Sequence, residues 1–153
     1  MDTFKEPTVS ISLTVKDAAQ ALEFYRTALG AKECFRVNAP DGTVAHAEFT
    51  IGNTLLYISG EAEAWHALAM PENSMASCLF SIASKNCDAS YERAVDAGAK
   101  PLSPPTDQFW GVRSSMVKDP FGYRWSFTQR IEELSEEELS KRAEKFFASM
   151  AKP

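Results

Sequence analysis

The chain has 153 residues, 44% of them hydrophobic and 24% charged, the composition of one globular unit rather than a disordered segment. A net charge of −5 argues against a nucleic-acid partner, because such a partner needs a basic face to displace counterions. No stretch approaches the roughly 20 apolar residues of a membrane span, and residues 1–8 carry Asp2, Lys5 and Glu6 without the apolar run of a secretory leader.

Three cysteines, Cys34, Cys78 and Cys87, cannot all pair, and none sits in a CxxC. Neither a zinc knuckle nor a dithiol motif is present, so the expectation is a reduced, cytoplasmic chain without membrane contact. Along the chain, Val9, Ile11, Leu13 and Val15 alternate with Ser10, Ser12 and Thr14, which predicts a half-buried strand. Asp17 opens a helix as its N-cap, with Gln20 completing a capping box. Leu22, Tyr25 and Leu29 follow at helical spacing, and Gly30 closes the helix. Strands are expected near 33–37, 44–50 and 54–59, with turns at Asp41-Gly42 and Gly52-Asn53.

The order then repeats. A strand over 77–83 precedes a helix over 88–97 closed by Gly98, and strands follow near 112–117 and 123–129. Pro101, Pro104 and Pro105 demote the strand after Gly98 to a short or edge strand. Gly30-Ala31-Lys32 recurs as Gly98-Ala99-Lys100, and Ile51-Gly52 corresponds to Phe121-Gly122. Landmarks in the same order point to a duplicated unit. The expected fold is α+β, a single domain over 1–153 made of tandem β-α-β-β-β modules. The first module spans 8–59 and the second 76–130, joined by a connector over 60–75. A helical tail over 131–153 opens on the capping box Ser135 to Glu138 and carries an apolar stripe of Leu139, Ala143, Phe146 and Met150. The stripe is expected to pack within the chain more readily than on a partner.

Candidate chemistry is concentrated in three places. His46 and Glu48 stand two apart on one strand face, where a carboxylate can orient an imidazole for acid/base work or share a metal. The alternative is a solvated edge face. His66 in the connector reads as a surface residue. The loop Asp107-Gln108-Phe109-Trp110-Gly111 with Arg113 offers aromatic faces and an anion-binding fork. Arg124 either reaches an anionic ligand or pairs with Asp119, the ion pair being slightly favoured. Cys78 falls on an apolar strand face, which argues for a buried, inert thiol.

Two tandem β-α-β-β-β units, Asp107 to Gly111, and Asp119-Pro120-Phe121-Gly122-Tyr123-Arg124-Trp125 together resemble the vicinal oxygen chelate superfamily of glyoxalases, bleomycin-resistance proteins and dioxygenases. Within it the motifs are most similar to the PhnB-like branch. The metal-dependent members hold a divalent ion with four side chains, one from the first and one from the last strand of each module. Carried onto this sequence, those positions fall at Ser10, Tyr57, Ser77 (or Cys78, one residue on) and Ser126. Hydroxyls are poor ligands for a divalent ion, so no metal and no cofactor are expected. The resemblance implies a homodimer and a small-molecule ligand in the cleft between the modules. Tyr57, Trp110, Arg113, Arg124 and Ser126 are the candidate ligand contacts. The alternative is an enzyme on the same scaffold, lyase-, isomerase- or dioxygenase-like, that uses His46 and Glu48.

Overall fold

The computed structural model describes residues 8–151; the reading of the N-terminal segment falls almost wholly outside them. The first module runs β1 (Ile11–Thr14), α1 (Ala18–Leu29), β2 (Lys32–Asn38), β3 (Val44–Ile51) and β4 (Thr54–Ser59). The second runs β5 (Leu79–Ala83), α2 (Cys87–Asp96), β6 (Lys100–Asp107), β7 (Val112–Lys118) and β8 (Arg124–Arg130). A tail helix α3 (Glu136–Met150) follows, and the connector holds one short 3-10 turn at Glu63–Trp65. The two sheets have the same order, β1-β4-β3-β2 and β5-β8-β7-β6. The first strand of each module pairs in parallel with the last, and the remaining pairs are antiparallel. The duplicated α+β architecture expected from the sequence is therefore present.

Local chemistry explains most element ends. Asp17 accepts a hydrogen bond from the Gln20 amide at 2.9 Å and caps α1, while Gly30 leaves the helix at φ +69. The second helix starts one residue earlier than its repeat counterpart suggested, because Asn86 is the cap that accepts from the Ala89 amide. The first strand is shorter than its alternation, and Val9 is 78% exposed. The proline-bearing β6 is an edge strand as expected, but at eight residues it is not short. Register shifts around Ser103 absorb the missing amide donors.

Apolar positions on the inner side of each sheet meet its helix, and α1 packs on α2. The two modules share one core. Tyr25 of α1 stacks on Phe49 of its own sheet at 5.6 Å and reaches Trp125 of the other at 5.5 Å. At its centre lies Asp119, 2% exposed. One carboxylate oxygen accepts from the Tyr25 hydroxyl and the Trp125 indole, both at 2.8 Å. The other accepts from the Phe121 and Tyr123 amides, both at 2.9 Å. Burial works to raise the Asp119 carboxyl above its ordinary value and these donors work to lower it, with burial ahead. Burial and the adjacent Asp119 push the Tyr25 hydroxyl well up, which keeps it a donor. Two further links join the modules. The Tyr123 hydroxyl donates to the Thr14 carbonyl at 3.0 Å and accepts from the Thr14 amide at 3.1 Å. Arg93 of α2 donates to the Ala28 carbonyl at the end of α1 at 3.0 Å.

One expectation is met only in part in the tail. No residue of α3 is fully buried, and the far end of its apolar face stays open, with Phe147 61% and Met150 68% exposed. The helix is tethered at its near side. Arg142 bonds Glu132 and Glu138, and Phe146 meets Phe109 at 4.8 Å. Of the stripe, Phe146 and the half-buried Ala143 pack within the chain, and Met150 does not.

Asp119→Ala leaves two buried donors, the Tyr25 hydroxyl and the Trp125 indole, and two half-buried amides without their acceptor. We expect a loss of about 3 kcal/mol or more in urea unfolding, against a change within about 0.5 kcal/mol for the exposed Glu144→Ala.

Candidate functional site

The strand alternation that buries Leu13, Ala47, Phe49, Leu56 and Ile58 turns the intervening residues outward. Register places Ser12, Tyr57, Glu48 and Phe35 in one row across β1, β4, β3 and β2. His46 stands beside that row. Its Nε2 lies 3.5 Å from Glu48 Oε1, and its ring centroid lies 5.5 Å from that of Tyr57. Both members of the His46–Glu48 pair are about one-third exposed. The structure thus brings the expected imidazole and carboxylate together and adds a phenol. Such a set can hold a polar ligand by hydrogen bonds or pass a proton through the imidazole.

On the second module, Arg124 and Ser126 share the outward face of β8, and Trp125 and Phe127 fill the core. Arg124 does not pair with Asp119, since both carboxylate oxygens of Asp119 are taken by neutral donors. Its Nη2 instead donates to the Ser77 carbonyl at 3.0 Å. Its Nε is shielded from solvent and has no acceptor among the described residues.

Of the four positions carried over from the metal-dependent proteins, Ser10 and Ser77 lie just outside β1 and β5 and are exposed, Tyr57 is half-buried and Ser126 buried. A hollow of about 450 Å³ separates the two first strands. Its walls are apolar, chiefly Ile11, Leu56, Leu79, Phe80, Ile82 and Trp125, and none of the four positions lines it. The cleft between the modules is thus lined by both faces of β5, from Leu79 to Ala83, and the candidate contacts Tyr57, Arg124 and Ser126 lie outside it. Among the described residues, no three His, Cys, Asp or Glu side chains gather as a metal ion requires.

The aromatic loop sits elsewhere. Phe109 packs edge-on to Trp110 at 4.9 Å and contacts Phe146 and Phe147 of α3. Trp110 is 44% exposed. Arg113 forms a two-point bond with Asp88 at 2.7 and 2.9 Å and a third with Asp107 at 2.8 Å. That guanidinium holds the Asp88 carboxyl below its ordinary value. Sequence spacing missed both partners, since Asp88 is 25 residues away and only the fold brings it near. His66 is exposed, as expected. Cys78 is exposed rather than buried, because the chain there has not yet entered β5. The buried thiol is Cys87, which donates to the Ser115 hydroxyl and the Phe127 carbonyl.

A sequence model of the Glyoxalase/Bleomycin resistance protein/Dioxygenase superfamily matches residues 8–127. An uncharacterized protein of Mycobacterium bovis, Mb0911c, is 36% identical over 137 residues, covering 88% of this chain and 90% of its own. The uncharacterized protein Rv0887c of Mycobacterium tuberculosis is also 36% identical, over 88% of this chain and 81% of its own. Among solved structures, TioX from Micromonospora sp. ML1 superposes with a TM-score of 0.66 at 22% identity, covering 82% of this chain and 99% of that one. A glyoxalase/bleomycin resistance protein/dioxygenase from Nocardioides gives 0.65 at 25% identity, covering 89% and 91%.

The junction between the aromatic loop and the tail depends on Gly111. Its φ is +81, and a Cβ there would stand 2.7 Å from the Glu132 carbonyl oxygen. Gly111→Ala should cost about 1–3 kcal/mol and speed proteolysis of the tail. Unfolding curves and limited trypsin digestion check both.

Proposed function

The chain belongs to the glyoxalase/bleomycin resistance protein/dioxygenase superfamily, and on that premise we propose that it binds a small aromatic or anionic molecule without a metal ion. The motifs around Asp107 to Gly111 and Asp119 to Trp125 favour the PhnB-like branch. The observation that carries the reading is the donor chemistry. The positions that the family resemblance assigns to metal ligands fall on Ser10, Tyr57, Ser77 (or Cys78) and Ser126, poor ligands for a divalent ion, and among the described residues no three His, Cys, Asp or Glu side chains gather elsewhere. What the faces offer instead is suited to a ligand. Tyr57 supplies an aromatic surface beside His46 and Glu48, and Arg124 and Ser126 supply donors on the other module. Trp110 keeps part of its indole free for a contact, while Arg113, committed to two carboxylates, shapes the loop that carries it.

A homodimer belongs to this proposal. Each open face stands on a different module, and β1 and β5 are both edge strands with one side unpaired. A second copy would set the first-module face of one chain against the second-module face of the other and cover open edges that invite pairing. Phe147 and Met150 at the open end of α3 give a further apolar surface to bury.

A second reading is acid/base or metal-assisted catalysis by His46 and Glu48, favoured by their 3.5 Å separation. Two measurements separate the readings. In a thermal-shift screen of neutral and acidic aromatic compounds, binding should weaken about tenfold, ~1.4 kcal/mol, in Tyr57→Ala and much less in His46→Ala. Elemental analysis of the purified chain should find no stoichiometric metal. Zinc, nickel, iron or manganese at one per chain, lost on His46→Ala, would overturn the metal-free reading. Light scattering should give twice the chain mass.

A further inference from the structure

The two open faces have the same geometry and opposite chemistry. On the second module, register sets Lys100 opposite Lys118, and Lys118 opposite Arg124. Residues directly opposite one another share a face, with Cβ atoms about 4.5–5.5 Å apart, and like charges so placed destabilise a sheet. Val117 and Trp125, one position along, are buried in the core, so this row of cations lies on the outward face. The next outward row is Ser81, Ser126, Met116 and Ser103. Asp107 is the one carboxylate in all four strands, and it lies on the other face, bound to Arg113.

Among the described residues no carboxylate pairs with the row. Among the described residues every ion pair lies elsewhere. Lys118 donates to the Ser74 carbonyl at 3.3 Å and Arg124 to that of Ser77, both neutral acceptors. Lys100 and Lys118 also border a hollow of about 360 Å³ at the foot of the sheet, together with Lys16, Asp17, Glu72 and Asp119. Glu72 lies 3.6 Å from Lys16, Asp17 caps α1, and Asp119 is filled by its four donors. None of these carboxylates serves the row.

We propose that the row Arg124–Lys118–Lys100, with the hydroxyls beside it, is an oxyanion site that takes a phosphate group, free or carried on a small molecule. This rests on the ligand-binding reading above and assigns the anionic end of the ligand to the second module. Three adjacent cations suit a dianion better than a single carboxylate. Lysine binds phosphate as a point charge, and arginine adds a planar fork. The site removes the repulsion that the register builds in, which a carboxylate of the chain would otherwise have to do.

Calorimetric titration of the full chain with inorganic phosphate, against chloride and acetate at equal ionic strength, tests the assignment. Phosphate should bind, and acetate should bind at least tenfold more weakly. Lys118→Gln and Lys100→Gln should each weaken phosphate at least tenfold, while the exposed Lys85→Gln, outside the row, should change it less than twofold. The Lys100 side chain makes no hydrogen bond among the described residues, so Lys100→Gln without phosphate should raise Tm at low salt, and the gain should vanish at high salt. Phenyl phosphate tighter than phosphate would mark the group as part of an aromatic ligand; equal affinity would mark the free ion, and both support the site. Phosphate no better than chloride, or unchanged in both lysine variants, overturns it. If neutral aromatic compounds still bind in that case, the cleft reading survives; if they fail while phosphate binds, only the cleft reading falls.

Discussion

One buried carboxylate holds the two halves of this protein in register. Asp119 receives a hydroxyl from α1 of the first module, an indole from β8 of the second, and two amides from its own turn. An ionisable group at this depth is tolerated only when its lone pairs are filled, so each of those donors must be where it is. That fixes Tyr25 against Trp125, and with it the angle at which α1 meets the second sheet. Arg93 on Ala28 and Tyr123 on Thr14 then close the seam at two other points. The turn Asp119-Pro120-Phe121-Gly122 is thus architectural. Gly122 is part of the same device, since its φ is +98 and a Cβ there would crowd Met70 at 3.0 Å.

With the seam fixed, the duplication has a consequence for chemistry. Both sheets have one order and one register pattern, so each presents an outward face of the same shape. The side chains on those faces have diverged. The first carries His46, Glu48 and Tyr57 in contact, and the second carries cations and hydroxyls. A scaffold that conserves position while changing residue type can host binding in one member and catalysis in another, because the faces contribute little to the core and are free to vary.

The same physics shows what was legible in the residue order. Alternation placed His46 and Glu48 on one face and Val9, Ile11, Leu13 and Val15 on another, because a strand's period of two is local. The caps Asp17 and Ser135 were legible for the same reason, each bonding an amide three residues on. Contacts between distant segments were not. Arg113 looked like a free anion-binding fork, and Arg124 looked like a partner for Asp119. Across the fold, Arg113 meets Asp88 and Asp107, and Arg124 donates to the Ser77 carbonyl. The depth of Cys78 was misread because the strand it was assigned to begins one residue later. An amphipathic stripe predicts a need for burial but not where the helix lies, and α3 lies with Phe146 on the aromatic loop and Met150 open.

By itself, then, the sequence determined the two β-α-β-β-β modules, their strand faces and the caps of α1 and α3. These follow from spacings of two to four residues, where backbone geometry alone decides which side chains share a side. Only the tertiary structure decided which charges meet, that Asp119 joins the modules, and that three cations stand in one row without a carboxylate. Lys100 and Arg124 are brought together through two successive strand pairings, and such a register is set by the whole packed sheet rather than by either residue's neighbours.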